Sequence, residues 1–126
     1  MTNNLSNELE INGQTYVLKS LANNNPKVTN LEGLVYTMVR TYSAGVFAGY
    51  VKERNGKEVL LLDARRIYQW QGACSLSQLA TYGTSLPEKC LFPCEVSEVL
   101  LLEAIELIPI TEKAMKSIAS VEVWKS

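Results

Sequence analysis

Apolar and polar positions alternate with a strand period over most of the chain and switch to a helical period in two short stretches. The segment LVYTMVRTY, Leu34–Tyr42, is β-branched and aromatic enough to predict a strand. Ser43-Ala44-Gly45 turns the chain, and VFAGYVKE, Val46–Glu53, brings it back. Arg54-Asn55-Gly56 forms the next turn, into GKEVLLLDARRIYQW. Charge suggests a register for this hairpin. A two-residue Asn-Gly loop sets like charges opposite each other, whereas a three-residue loop pairs Glu53 with Lys57 and Lys52 with Glu58. Carried along the strands, the three-residue loop puts Phe47 opposite Asp63 and Gly45 opposite Arg65. Phe47, Asp63 and Arg65 then share one face, and Arg66, Tyr68 and Trp70 the other. Gly45 and Gly49 leave open space beside them.

Ser75-Leu76-Ser77-Gln78 fits a capping box, opening a helix over Leu76–Tyr82 that Gly83 stops. After the loop TSLPEKCLFPC, VSEVLLLEAIELIPI reads as one long strand or two short ones, with Pro109 ending the pairing. Thr111 caps a second helix, EKAMKSIAS, with Ala114, Met115 and Ile118 inward. VEVW, Val121–Trp124, is expected to close as a last strand. Upstream, Glu8–Lys19 predicts a small hairpin around Asn12-Gly13, and Asn23–Pro26 a polar link. The expected organisation is an amino-terminal arm, residues 1–30, and one α+β ligand-binding domain, residues 31–126. That domain is an antiparallel β-meander or partly closed barrel with two short helices.

Composition narrows the function classes. At 126 residues there is room for one core. A net charge of −1 argues against a protein that coats DNA or RNA through a broad basic face. MTNNLSNELE has neither the charged nor the apolar region of a signal peptide, and no apolar run approaches the roughly 18 residues that span a bilayer. A soluble intracellular protein without a membrane partner is expected. Histidine is absent, which removes Ser-His and Cys-His nucleophile pairs, and no catalytic residues stand at a recognisable spacing. The three cysteines, Cys74, Cys90 and Cys94, are read as reduced thiols, since zinc would need a carboxylate as fourth ligand. Neither a metal nor a cofactor is expected.

The candidate chemistry lies in adjacent arginines and interleaved aromatics. Arg65 either pairs with Asp63 or meets an incoming anion, and Arg66 either stands in solvent or does the same, as guanidinium groups match phosphate bidentately. Arg40 and Tyr42 end a strand that can neighbour them. Tyr42, Phe47, Tyr68 and Trp70 serve either as core or as stacking faces for bases. Ser75 is either an ordinary cap or a phosphate seat. Lys113 and Lys116 read as a solvated face.

Arg40–Val51, Gly56–Ala80 and Glu103–Ile118 together resemble a family of small phage proteins, the first-described Thoeris anti-defence sponges. The resemblance covers roughly residues 34–124 and leaves the arm unmatched. It implies a protein that binds and sequesters cyclic ADP-ribose isomers, immune signals of the infected bacterium's cytoplasm, without cleaving them. It further implies, for some members, separate sites for cyclic oligonucleotides, and assembly of dimers into hexamers with pockets between subunits. Only the kind of site carries over. Its expected ligand-binding residues, Arg40, Tyr42, Phe47, Asp63, Arg65, Arg66, Tyr68, Trp70 and Ser75, rest on the physical grounds above. Asp63 would repel phosphate, so it should face a ribose hydroxyl or an amino group, or else pair with Arg65. Two other readings compete: a module that inhibits a host enzyme by direct contact, and a single-strand nucleic-acid binder, which the near-neutral charge disfavours.

Overall fold

The computed structural model describes residues 28–125. Five strands, β1 (Tyr36–Thr41), β2 (Val46–Asn55), β3 (Glu58–Ile67), β4 (Glu95–Leu101) and β5 (Ala104–Pro109), form one sheet in the order β4-β3-β2-β1-β5. Every neighbouring pair is antiparallel. Helix α1 (Leu76–Tyr82) and a 3₁₀ turn (Pro87–Lys89) lie between β3 and β4, and helix α2 (Glu112–Ala119) follows β5. The expected α+β meander is what forms. The hairpin expected over Glu8–Lys19 lies outside the described residues.

The sheet is open but strongly curled. Strands β4 and β5 are its two edges, yet only Leu102 and Glu103 separate them in the chain. Three residue steps reach about 11 Å at most, whereas four strand spacings of a flat sheet need roughly 19 Å. The edges must therefore swing towards each other at this corner. Ala104 N–H donates to Lys57 O at 2.9 Å and Tyr42 N–H to Glu103 O at 2.9 Å, which fastens the corner. No ladder joins β4 to β5, so the barrel does not close.

Both helices begin where the caps predict. The Ser75 hydroxyl accepts from Gln78 N–H, while Gln78 Oε1 accepts from Cys74 N–H. The Thr111 hydroxyl accepts from Ala114 N–H. Their apolar faces cover one side of the sheet, burying Met38, Ala48, Ile67, Leu79, Phe92, Ile110 and Ile118. A second cluster, with Val39, Phe47, Val59, Leu61 and Leu101, fills the other side.

Three expectations fail. The β2–β3 loop is Gly56-Lys57, closing on the pair Asn55–Glu58, with Gly56 at φ +63°. Glycine suits the first position of such a two-residue hairpin loop. Charge pairing was a poor guide because these positions are exposed, where an ion pair contributes ~1 kcal/mol or less. The register also shifts twice, between Val51 and Glu53 and between Ala48 and Tyr50, so Phe47 faces Arg66 and Ala48 faces Arg65. The second shift bulges β3 at Asp63, whose φ of +50° is unusual for a non-glycine residue. Gly49 borders no open space, and Gly45, itself exposed, meets the end of the Arg66 side chain. A Cβ on Gly49 would stand 3.0 Å from Leu62 O and 3.1 Å from Ala64 Cα, and one on Gly45 would stand 3.7 Å from an Arg66 terminal nitrogen. Finally, Val121–Trp124 forms no strand, only an isolated parallel bridge between Val123 and Phe92.

A candidate site at the end of the third strand

The bulge at Asp63 decides which way each arginine points. Arg65 turns to the helix side and is 9% exposed. Its side chain donates to four backbone carbonyls, Pro93 at 3.0 Å, Ile118 at 2.9 Å, Phe92 at 3.2 Å and Val121 at 2.7 Å. Burial works against its charge, and Tyr36, Glu95 and Cys94 partly restore it. Among the described residues no carboxylate forms an ion pair with it, Asp63 included. Arg65 is thus a structural tie between β3, the segment ahead of β4 and the end of α2. The Glu95 carboxyl nearby is pushed up, by burial first and Asp63 second, while Arg65 pulls it the other way.

Arg66 turns to the opposite side. Its guanidinium carbon lies 4.4 Å from the centroid of the buried Phe47 ring, and one terminal N–H donates to Ala44 O. The remaining donors make no hydrogen bond or ion pair to another described residue. A flat, exposed guanidinium anchored at one corner is suited to a bidentate anion.

The alternation runs through the end of β3 to Tyr68, with Arg65 and Ile67 buried and Arg66 and Tyr68 exposed. The backbone of this stretch is pinned. Gln69 and Leu91 exchange both N–H···O bonds, and Gln71 O accepts from the Thr84 hydroxyl and, at 3.6 Å, from the Cys90 thiol. A cleft of 310 Å³ opens along it, lined by Tyr68, Gln69, Trp70, Gln71 and Lys89. Tyr68 is stacked on Trp124, with ring centroids 5.3 Å apart and planes 5° from parallel. On the far side of the stack, Trp124 lines a second cleft of 590 Å³ together with Glu88, Glu122 and Lys125.

The expected site residues do not make one cluster. Phe47 and Arg66 come together, as do Tyr68 and Trp70. Arg40 is tied to Glu106 at 2.9 Å, and Tyr42 stands exposed at the barrel corner. Asp63 lies in the bulge, Arg65 is interior, and Ser75 is occupied as a cap. Lys89, Gln69, Gln71 and Trp124 were not singled out in the sequence. The bridges Gln69–Leu91 and Phe92–Val123 bring them in, and no local pattern signals such isolated pairings. Among the described residues no group of three acidic, cysteine or histidine side chains is placed to hold a metal, and no helix is long and apolar enough to cross a membrane.

The model of the family described as "Domain of unknown function (DUF6948)" matches residues 34–118. The chain belongs to this family. No curated protein and no solved structure matches it. The family segment runs from just before β1 into α2, so it contains Arg66, Tyr68, Trp70 and Lys89 but ends before Trp124.

Proposed function

We propose that this member of the family is a phage anti-defence protein that binds and sequesters cyclic nucleotide-type immune signals without cleaving them. Cyclic ADP-ribose isomers are the first candidates and cyclic oligonucleotides the second, met in the cytoplasm of the infected bacterium. The observation that carries this reading is Arg66, held flat on Phe47 with donors left over and in no ion pair among the described residues, two residues from the exposed ring of Tyr68. Guanidinium and aromatic groups at that spacing suit a ligand that combines phosphate with a base. Sequestration requires tight binding and slow release rather than chemistry, which accords with a chain that has no histidine.

Thermal melts with cyclic ADP-ribose isomers and cyclic di- and trinucleotides test it, since a tight ligand raises Tm by mass action. At least one should raise Tm, Arg66→Ala should abolish the rise, and mass spectrometry should recover the ligand unaltered after heat release. No shift with any of them, or a chemically altered ligand, would sink the proposal. A second reading, inhibition of a host enzyme by direct contact, draws on β4. Among the described residues that edge strand has one side without a ladder, and it leaves Val96 and Leu100 exposed, with Leu102 just beyond it. Within the first reading the same edge serves assembly into dimers and, from them, hexamers.

A further inference from the structure

We infer that the cleft beside Tyr68 is a seat for a planar heterocycle carrying an anionic group, with the Tyr68–Trp124 stack as its wall. The arrangement is layered. Tyr68 lines the smaller cleft and Trp124 does not, while Trp124 lines the larger cleft and Tyr68 does not. One ring therefore lies towards each cleft, and a heterocycle entering the smaller one against Tyr68 extends an existing stack. Stacked aromatics accept bases because every base has a π-face. Trp124 backs Tyr68 and limits its freedom before the ligand arrives, which favours affinity through preorganisation.

The lining of the two clefts chooses between them. The smaller holds two aromatics, two primary amides and one ammonium, with no carboxylate. The larger holds Glu88 and Glu122 against one lysine, Lys125, and would repel a phosphate. In the smaller cleft, Gln69 and Gln71 are fixed through their backbones while their side-chain amides bond no other described residue. Each amide offers both a donor and an acceptor, the pair of groups that reads a base edge or a ribose hydroxyl. Lys89, exposed and in no ion pair among the described residues, supplies the charge for phosphate. This deepens the nucleotide reading above by naming where the base would stack, and rests on that reading only for the natural ligand.

The chain has two tryptophans, Trp70 in the cleft and Trp124 behind its wall, so intrinsic fluorescence reports the seat directly. The experiment titrates the full chain with AMP and adenosine. AMP should quench the emission and adenosine should bind more weakly. Tyr68→Ala should weaken AMP about tenfold and Trp124→Ala about fivefold, in line with stacking contributions in single-strand complexes. Trp124→Phe should retain most of the affinity, and Lys89→Gln should erase the difference between AMP and adenosine. Absence of any response to millimolar AMP, in fluorescence and in amide chemical shifts, overturns the seat. So does AMP binding that Tyr68→Ala, Trp124→Ala and Lys89→Gln all leave unchanged. If AMP binds as described while no cyclic signal shifts the melt, the seat stands and sequestration falls. If a cyclic signal binds through Arg66 and is indifferent to Tyr68→Ala, sequestration stands and the seat falls.

Discussion

Arg65 and Arg66 are neighbours in the chain with opposite tasks. Arg65 offers its donors to Ile118 and Val121 at the carboxyl end of α2 and to Phe92 and Pro93 ahead of β4, tying the two segments together. Arg66 rests on Phe47 with most of its donors facing water. Removing the first takes a donor from four carbonyls; Phe92 O keeps Trp124 N–H and Ile118 O keeps Val121 N–H, but Pro93 O and Val121 O lose theirs, so Arg65→Leu should destabilise by about 3 kcal/mol. Arg66→Ala should change stability by less than about 1 kcal/mol, because an exposed cation–π contact contributes little. Urea unfolding of both variants checks the contrast, and equal losses would mean that the inward and outward assignments are mistaken. In the sequence the pair already looked divided between two faces, with Asp63 as one of two partners open to Arg65. The carbonyls that hold it come from residues 27 to 56 positions away, and no local pattern announces them.

Among the elements, helices and strand pairings were legible to different degrees. Both helices were readable to within a residue because a cap, an apolar stripe and a stop all lie within one short segment. Strand identity was readable from alternation, but register was not, because it depends on two shifts that no composition marks. The Asp63 bulge drives the β3 backbone against Gly49, so that glycine is required for the close approach rather than for leaving space. Gly49→Ala should therefore cost about 1–3 kcal/mol in urea or thermal unfolding, as overpacking against backbone that cannot yield does. A neutral result would place the β2–β3 register elsewhere. The same bulge turns Arg66, not Arg65, onto the face of Phe47, so one irregular residue decides which arginine a ligand can meet.

At the scale of the whole molecule, two edges remain. They swing together at Leu102-Glu103 without pairing, and among the described residues β4 has no ladder partner on its outer side. Natural edges are commonly blunted by charge, lysine above all, or by proline; β4 carries Glu95 and Glu98 but no lysine or proline within Glu95–Leu101, and shows Val96 and Leu100 to solvent. Self-association through this edge is the expected outcome. Light scattering at micromolar concentration should find an assembly for the native chain, and a smaller species for Val96→Lys combined with Leu100→Lys. A native monomer would count against the assembly, while an unchanged double variant would move the interface off β4.

What the sequence determined by itself is what is encoded within a few residues: where the five strands and both helices lie, how the helices are capped, and the pairing of arginine with aromatics as the chemistry to watch. These follow from side-chain period and from hydrogen bonds between near neighbours. Tertiary structure decided the rest. The bulge assigned faces to Arg65 and Arg66, the curled sheet left its edges unpaired, and two isolated bridges carried Trp124 to Tyr68 and Lys89 to Trp70. Such contacts join positions far apart in the chain and are selected by packing of the whole core, so no segment holds the information alone.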